Sequence, residues 1–194
     1  LLHKTINDDY SVYDNCFGLG GIFDSIEEHN NKDSKVLYHG HEINEQLFDY
    51  YKSKKNNDNY FLHNTNSIAN NMFSDLKFDY LINNPPIGFR IPKEDIENYL
   101  ENNQSVIENI RRGEYIFLID LINKSKEGSR IISLVPPNFL YSTHPETSII
   151  RKYLFKNDML ESIVRCSEGA QPGTSIPFYI LVIDRKKDQA LRNK

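Results

Sequence analysis

Short apolar runs, rich in β-branched and aromatic side chains, recur along this chain with helix-length segments between them. The pattern predicts strands at about 11–14, 35–42, 59–64, 78–84, 130–137, 160–166 and 177–184. Helices are predicted near 20–30, 44–55, 67–75, 92–110, 114–126 and 145–157. In GEYIFLIDLINKSKEGSR, Tyr115, Leu118, Ile119 and Ile122 repeat at helical spacing, and Gly128 supplies the expected stop. Strand–helix alternation predicts an α/β fold, a doubly wound and mostly parallel sheet covered on both faces. The last two strands depart from it. They are joined by SEGAQPGTSI, a loop without a helix, whereas a parallel crossover needs about a dozen residues. The final strand should therefore run antiparallel to its neighbours. Residues 87–113, with Asn- and Glu-rich segments, are the least regular stretch and read as a mobile insertion over a site.

Composition narrows the class. With 194 residues, 39% hydrophobic and 26% charged, the chain can fill the core of one domain, 1–194, with its regular part at 11–187. A net charge of −4 gives no overall field favouring polyanions, so a nucleic-acid partner would need local patches or a second protein. Arg111-Arg112, Arg151-Lys152 and Arg185-Lys186-Lys187 are such patches, each read first as a solvated face. Cys16 and Cys166, far apart and in no metal spacing, suit a reducing, cytoplasmic setting. His39 and His41 alternate on one strand and read as a polar strand end, so no metal is expected. No apolar run approaches the roughly 20 residues of a membrane span. The opening LLHKTINDDY carries neither a signal-peptide plan nor an initiator methionine, and suggests a piece of a longer protein.

Three features carry chemistry. YDNCFGLGGIF sets three glycines directly after the first strand, where backbone can approach a ligand closely, and Asp14 ends that strand. A plain tight turn explains the glycines equally well. Glu42 then ends the second strand in YHGHEIN, placed to accept from the two hydroxyls of a ribose, although a strand-end surface acid also fits. Together they indicate an adenosine-containing cofactor, either a dinucleotide or S-adenosylmethionine. The third feature is DYLINNPPIGFR, an apolar strand closed by Asn84, Pro85 and Pro86. Prolines cannot donate to a sheet and hold the preceding residue extended, so this is either a strand stop or a rigid set of acceptors.

The blocks VYDNCFGLGGIF, GHEIN, LHNTNSI, KFDYLINNPPIGF, IIRKYLFKNDMLESIV and GTSIPFYILVIDRKK, in that order, resemble the M (modification) subunit of type I restriction–modification systems. That family consists of adenine-N6 DNA methyltransferases. The resemblance implies a class I S-adenosylmethionine-dependent methyltransferase fold, with seven strands and an antiparallel last one. It implies cofactor contacts from Asp14, Cys16, Gly18, Gly20, Gly21, Glu42, Ile43, Asn66 and Ser67. It places the catalytic segment at Asn84, Pro85, Pro86 and Ile87, with DNA, a specificity subunit and a restriction subunit as partners. Pro136-Pro137 would form pocket wall. The chain departs from the family at four positions within these segments. Ile87 replaces the aromatic after the second proline, Asn15 a proline, Leu19 a small residue between glycines, and Asn66 an acid facing the cofactor's adenine. Those departures keep two other readings open: a catalytically degraded relative retained for assembly or DNA binding, and a methyltransferase for RNA or protein glutamine.

Overall fold

The computed structural model describes residues 9–30, 33–70, 72–102, 110–170 and 175–185. Its elements follow in chain order: β1 (Tyr10–Asp14), α1 (Gly21–His29), β2 (Val36–His41), α2 (Glu45–Lys54), β3 (Tyr60–His63) and β4 (Phe78–Asn83). Then come α3 (Lys93–Asn102), α4 (Gly113–Asn123), β5 (Ser125–Val135), α5 (Asn138–Tyr141), α6 (Pro145–Lys156), β6 (Leu160–Arg165) and β7 (Tyr179–Asp184). One seven-stranded sheet has the order β3-β2-β1-β4-β5-β7-β6. The first five strands pair in parallel, and β7 lies antiparallel between β5 and β6. The predicted reversal of the last strand is thus present. This is the class I methyltransferase arrangement.

Side-chain alternation along the strands feeds two cores. Val12 faces α1 and α2, packing with Phe23, Tyr38, Tyr51 and Tyr60. Tyr13, the next residue, points to the opposite face and joins Leu81, Ile96, Leu118, Ile150 and Leu154 from β4, α3, α4 and α6. Helix α4 is buried on every side, from Gly113 to Ile122. The single apolar stripe expected from its spacing is therefore only part of its buried surface.

Several expectations are corrected. Residues 67–69 and 72–75 form turns rather than a helix, because Asn66 Oδ1 captures the Ile68 amide at 3.0 Å and starts an Asx turn. Ile68 and Phe73 are the buried anchors of that loop. Helix α4 stops at Asn123, and Gly128 (φ 83°) lies inside β5, where the register against β4 shifts. Its left-handed backbone serves an irregularity of the strand, not a helix end. The described part of 87–113 is anchored rather than mobile. Arg90 and Arg112 form an antiparallel bridge, Gly113 N donates to Phe89 O at 2.7 Å, and Ile91, Ile96, Tyr99 and Ile110 are core residues. Residues 103–109 of that stretch lie outside the described part.

The strand histidines also differ from the polar end expected. Because β2 is interior, His39 and His41 are buried, and burial pushes them down to about 4 and about 3. They are neutral core rings: His39 stacks on Phe61 and His41 lies edge-on to Phe73. Among the described residues no group of His, Cys, Asp and Glu is placed to hold a metal. Nor is any described helix long and apolar enough to cross a membrane.

Candidate functional site at the switch point

The chain winds outward from β1 to β3 and then returns to β4 on the other side of β1. The strand order therefore reverses between β1 and β4, and their carboxyl ends flank the crevice where open α/β sheets bind ligands. Asp14 ends β1 and Asn84 follows β4 directly.

Asp14 is buried. Its Oδ1 accepts from Cys16 N at 2.9 Å, while Oδ2 is buried without a hydrogen-bond partner. Burial pushes this carboxyl up to about 7; the hydrogen bonds from Cys16 pull back and nearby Glu42 adds repulsion. The Cys16 thiol lies close enough to Asp14 and to the backbone of Asn84 for both to influence its titration. Desolvation holds that thiol well above its ordinary range. Cysteines 16 and 166 are both free thiols.

Glu42 lies one residue beyond β2 and is also buried. It accepts from Gly18 N at 2.9 Å and from Asn44 N at 2.7 Å, clasping the glycine turn to the start of α2. Each of its oxygens keeps one further acceptor position. The glycines divide by role. A Cβ at Gly18 (φ 56°) or at Gly21 would meet open space, so the backbone there is approachable. A Cβ at Gly20 (φ 76°) would sit 2.0 Å from the Tyr51 ring, which Asp24 holds by a 3.1 Å hydrogen bond from its hydroxyl. Gly20→Ala is expected to cost about 2–4 kcal/mol, from left-handed strain plus overpacking. A lowered denaturant midpoint with unchanged slope checks this.

Leu19 and Ile43 are exposed on the turn and after Glu42, giving the crevice apolar faces. Asn66 is turned to its own loop: Oδ1 accepts from Ile68 N, and Nδ2 donates 3.2 Å to Asp95 Oδ2 on α3. Ser67 is buried, and its Oγ has no partner. The structure thus gathers Asp14, Cys16, Gly18, Gly21, Glu42, Ile43, Asn66 and Ser67 along the ends of β1, β2 and β3. Gly20 belongs to the packing beneath them.

Across the switch point, Pro85 is buried while Asn84, Pro86 and Ile87 are exposed at the rim, with Gly88 (φ 77°) turning the chain after them. Phe89 and Tyr141 are exposed aromatics on that side, 51% and 69% accessible, against 37% for Ile87.

Beneath the rim runs a buried polar chain that the sequence did not announce. Asn15 Nδ2 donates to Phe117 O and Asp120 Oδ2, both at 2.9 Å. Asn83 Nδ2 donates to Asn15 Oδ1 at 3.0 Å, and Ser133 Oγ to Asn83 Oδ1 at 2.7 Å. Asp120 further accepts from Tyr13 and pairs with Lys124. Asn15, which looked like a defect of the cofactor turn, therefore ties that turn to the strand carrying Asn84. Two basic patches are corrected likewise. The Arg111 guanidinium donates to Ile110 O, that of Arg112 lies 3.7 Å from Glu114, and that of Arg151 holds Phe139 O and Ser142 O, so these side chains have internal partners rather than forming solvated faces.

Known structures share this fold. A type I restriction–modification methyltransferase subunit from Streptococcus thermophilus superposes with a TM-score of 0.83 at 17% identity, over 94% of this chain and 41% of that one. A Listeria monocytogenes protein described as a class I S-adenosylmethionine-dependent methyltransferase gives 0.76 at 16%, over 93% and 55%. A modification subunit assigned to a type I restriction enzyme of Vibrio vulnificus gives 0.72 at 24%, over 91% and 40%. The chain thus spans only about half the length, or less, of these proteins. The family model for N-6 DNA methylases matches residues 1–194. With a match that runs from the first residue to the last, the chain belongs to the N-6 DNA methylase family.

Proposed function

We propose that this chain is the catalytic part of a type I modification subunit, moving a methyl group from S-adenosylmethionine to the exocyclic amine of adenine in DNA. One observation carries the reading. Asp14 ends β1 and Asn84 follows the adjoining parallel strand β4, so the proposed cofactor crevice and the Asn-Pro-Pro rim adjoin at the switch point.

The residues present suit the cofactor. The buried, partnerless Asp14 Oδ2 is an acceptor lacking a cation, which the cofactor's ammonium would provide. Glu42 has acceptor capacity for ribose hydroxyls, and the open backbone at Gly18 and Gly21 allows close approach. When bound, S-adenosylmethionine supplies a methyl group already activated on a sulfonium.

The chain's own residues handle the amine. An adenine amine is a weak nucleophile because its lone pair is delocalised into the ring. Two acceptors against its N–H bonds, the Asn84 side-chain oxygen and the Pro85 carbonyl, favour a pyramidal nitrogen and aim its lone pair. Buried Pro85 and the proline after it hold those oxygens in advance, which is electrostatic preorganisation. In a duplex the base has to be extruded first.

A specificity subunit would supply sequence recognition, consistent with a net charge of −4 and with the Arg111, Arg112 and Arg151 guanidinium groups having internal partners. The test is labelled methyl transfer to unmodified DNA by the full-length protein with its specificity subunit. Absence of incorporation overturns the reading and promotes the degraded alternative. Ile87→Phe is expected to raise kcat/KM on duplex DNA by about tenfold, since stacking on an aromatic contributes roughly 1–3 kcal/mol per base. An unchanged rate would assign the stacking face to Phe89 or Tyr141 instead.

A further inference from the structure

The end of the crevice over β3 carries a pair of side chains from different elements, Asn66 and Asp95, of which only Asn66 has entered the cofactor reading above. We infer that Asn66 and Asp95 together form an adenine-reading clamp, in which the carboxylate comes from α3 rather than from the loop after β3. The inference rests on the cofactor reading and names what selects its base.

Topology fixes which end of the crevice receives the base. Glu42 after β2 is the acid placed for ribose hydroxyls, and β2 has β1 on one side and β3 on the other. The methyl-bearing end must reach Asn84 after β4, which lies beyond β1. The base therefore extends the opposite way, over the loop that follows β3. That loop is held to the ribose acid directly: Glu42 N donates to His63 O at 3.1 Å, and Asn64 Nδ2 donates to Glu42 O at 2.8 Å.

Hydrogen-bond accounting then selects the reader. Asn66 Oδ1 is committed to its own turn, accepting from Ile68 N at 3.0 Å and Ala69 N at 3.4 Å. It is a poor acceptor for anything else. Asn66 Nδ2 carries two hydrogens, one directed 3.2 Å to Asp95 Oδ2. Among the described residues that is the hydrogen bond Asp95 accepts, and its other oxygen keeps full acceptor capacity. Asp95 is half-buried, and its position is fixed by the next residue, Ile96, fully buried in the core. The pair presents one remaining amide donor beside one carboxylate acceptor. Adenine's Watson–Crick edge offers the complement, an acceptor ring nitrogen beside an amine donor. Hypoxanthine, with a ring N–H beside a carbonyl, offers the inverse. Exposed Ile43 supplies an apolar face next to the same loop.

Sites that hydrogen-bond a ligand group reject the analogue lacking it far more strongly than apolar pockets do. The experiment is titration calorimetry of the whole chain with S-adenosylhomocysteine and with S-inosylhomocysteine, which differ only at that edge. Wild type is expected to prefer the adenosyl ligand by roughly 100-fold. Asp95→Asn, with its melting curve recorded as a folding control, should bring the two affinities within about threefold by weakening the adenosyl ligand. The exchange variant Asn66→Asp/Asp95→Asn inverts the donor–acceptor order and should shift the preference to the inosyl ligand. If Asp95→Asn keeps the wild-type ratio, the clamp is overturned while the cofactor reading stands. If wild type binds neither ligand, the cofactor reading falls and the clamp with it.

Discussion

Asn84→Ala is expected to lower methyl transfer by roughly 10²–10³-fold, the loss usual when one preorganised group at a reacting centre is deleted. Cofactor affinity should remain close to wild type. The physical reason is the division of the crevice. Asn84 is exposed at the rim after β4, whereas the proposed cofactor contacts lie on the ends of β1, β2 and β3. Its backbone, which lies close to the Cys16 thiol, survives the substitution. Single-turnover transfer with saturating cofactor isolates the effect, and calorimetry with S-adenosylhomocysteine gives the binding control. Loss of cofactor binding in the same variant would place Asn84 on the cofactor side and remove the amine acceptor from the mechanism.

Asp14→Asn should produce opposite effects on binding and on stability. The asparagine oxygen still accepts from Cys16 N, so the turn keeps its 2.9 Å hydrogen bond. The charge that would meet the cofactor's ammonium disappears. Removing one partner of a buried charge pair costs about 2–5 kcal/mol, which amounts to a loss of affinity between roughly 30-fold and several thousand-fold. Without ligand the native state should gain. Its carboxyl is pushed up to about 7 by burial, from an ordinary value of 3.8. The native protein therefore binds more protons than the unfolded chain between these two values, and stability falls as pH rises through that window. Three units correspond to about 4 kcal/mol, fully lost above pH 7. The variant should thus melt higher than wild type at pH 8 and nearly equally at pH 4. Wild-type cofactor affinity should itself weaken below pH 7, as Asp14 becomes protonated. A variant that melts lower at pH 8, or binds S-adenosylhomocysteine normally, would remove Asp14 from the ligand's charge balance.

These two positions were legible because their signals are local. A strand-end acid before glycines, and an amide before two prolines, are written in consecutive residues. Asn15 shows the opposite case. From its neighbours it is a proline replaced within a cofactor turn, yet its partners are Phe117, Asp120 and Asn83, 68 to 105 residues away. Asp95 was invisible for the same reason, since its meeting with Asn66 depends on where α3 settles. The segment after β3 misled because its length between two strands suits a short helix, whereas the Asx turn at Asn66 folds it into turns around buried Ile68 and Phe73.

The sequence by itself determined the alternation of strands and helices, the reversal of the last strand, and the family. Periodicity, crossover length and block order are properties of neighbouring residues, so they need no knowledge of distant contacts. Only the tertiary structure decided that α4 is buried all round, that the Arg111, Arg112 and Arg151 guanidinium groups serve internal carbonyls and a carboxylate, and that the strand histidines are neutral core rings. Burial and the pairing of polar groups depend on what lies on the other side of a side chain, and that neighbour is chosen by packing across the sheet.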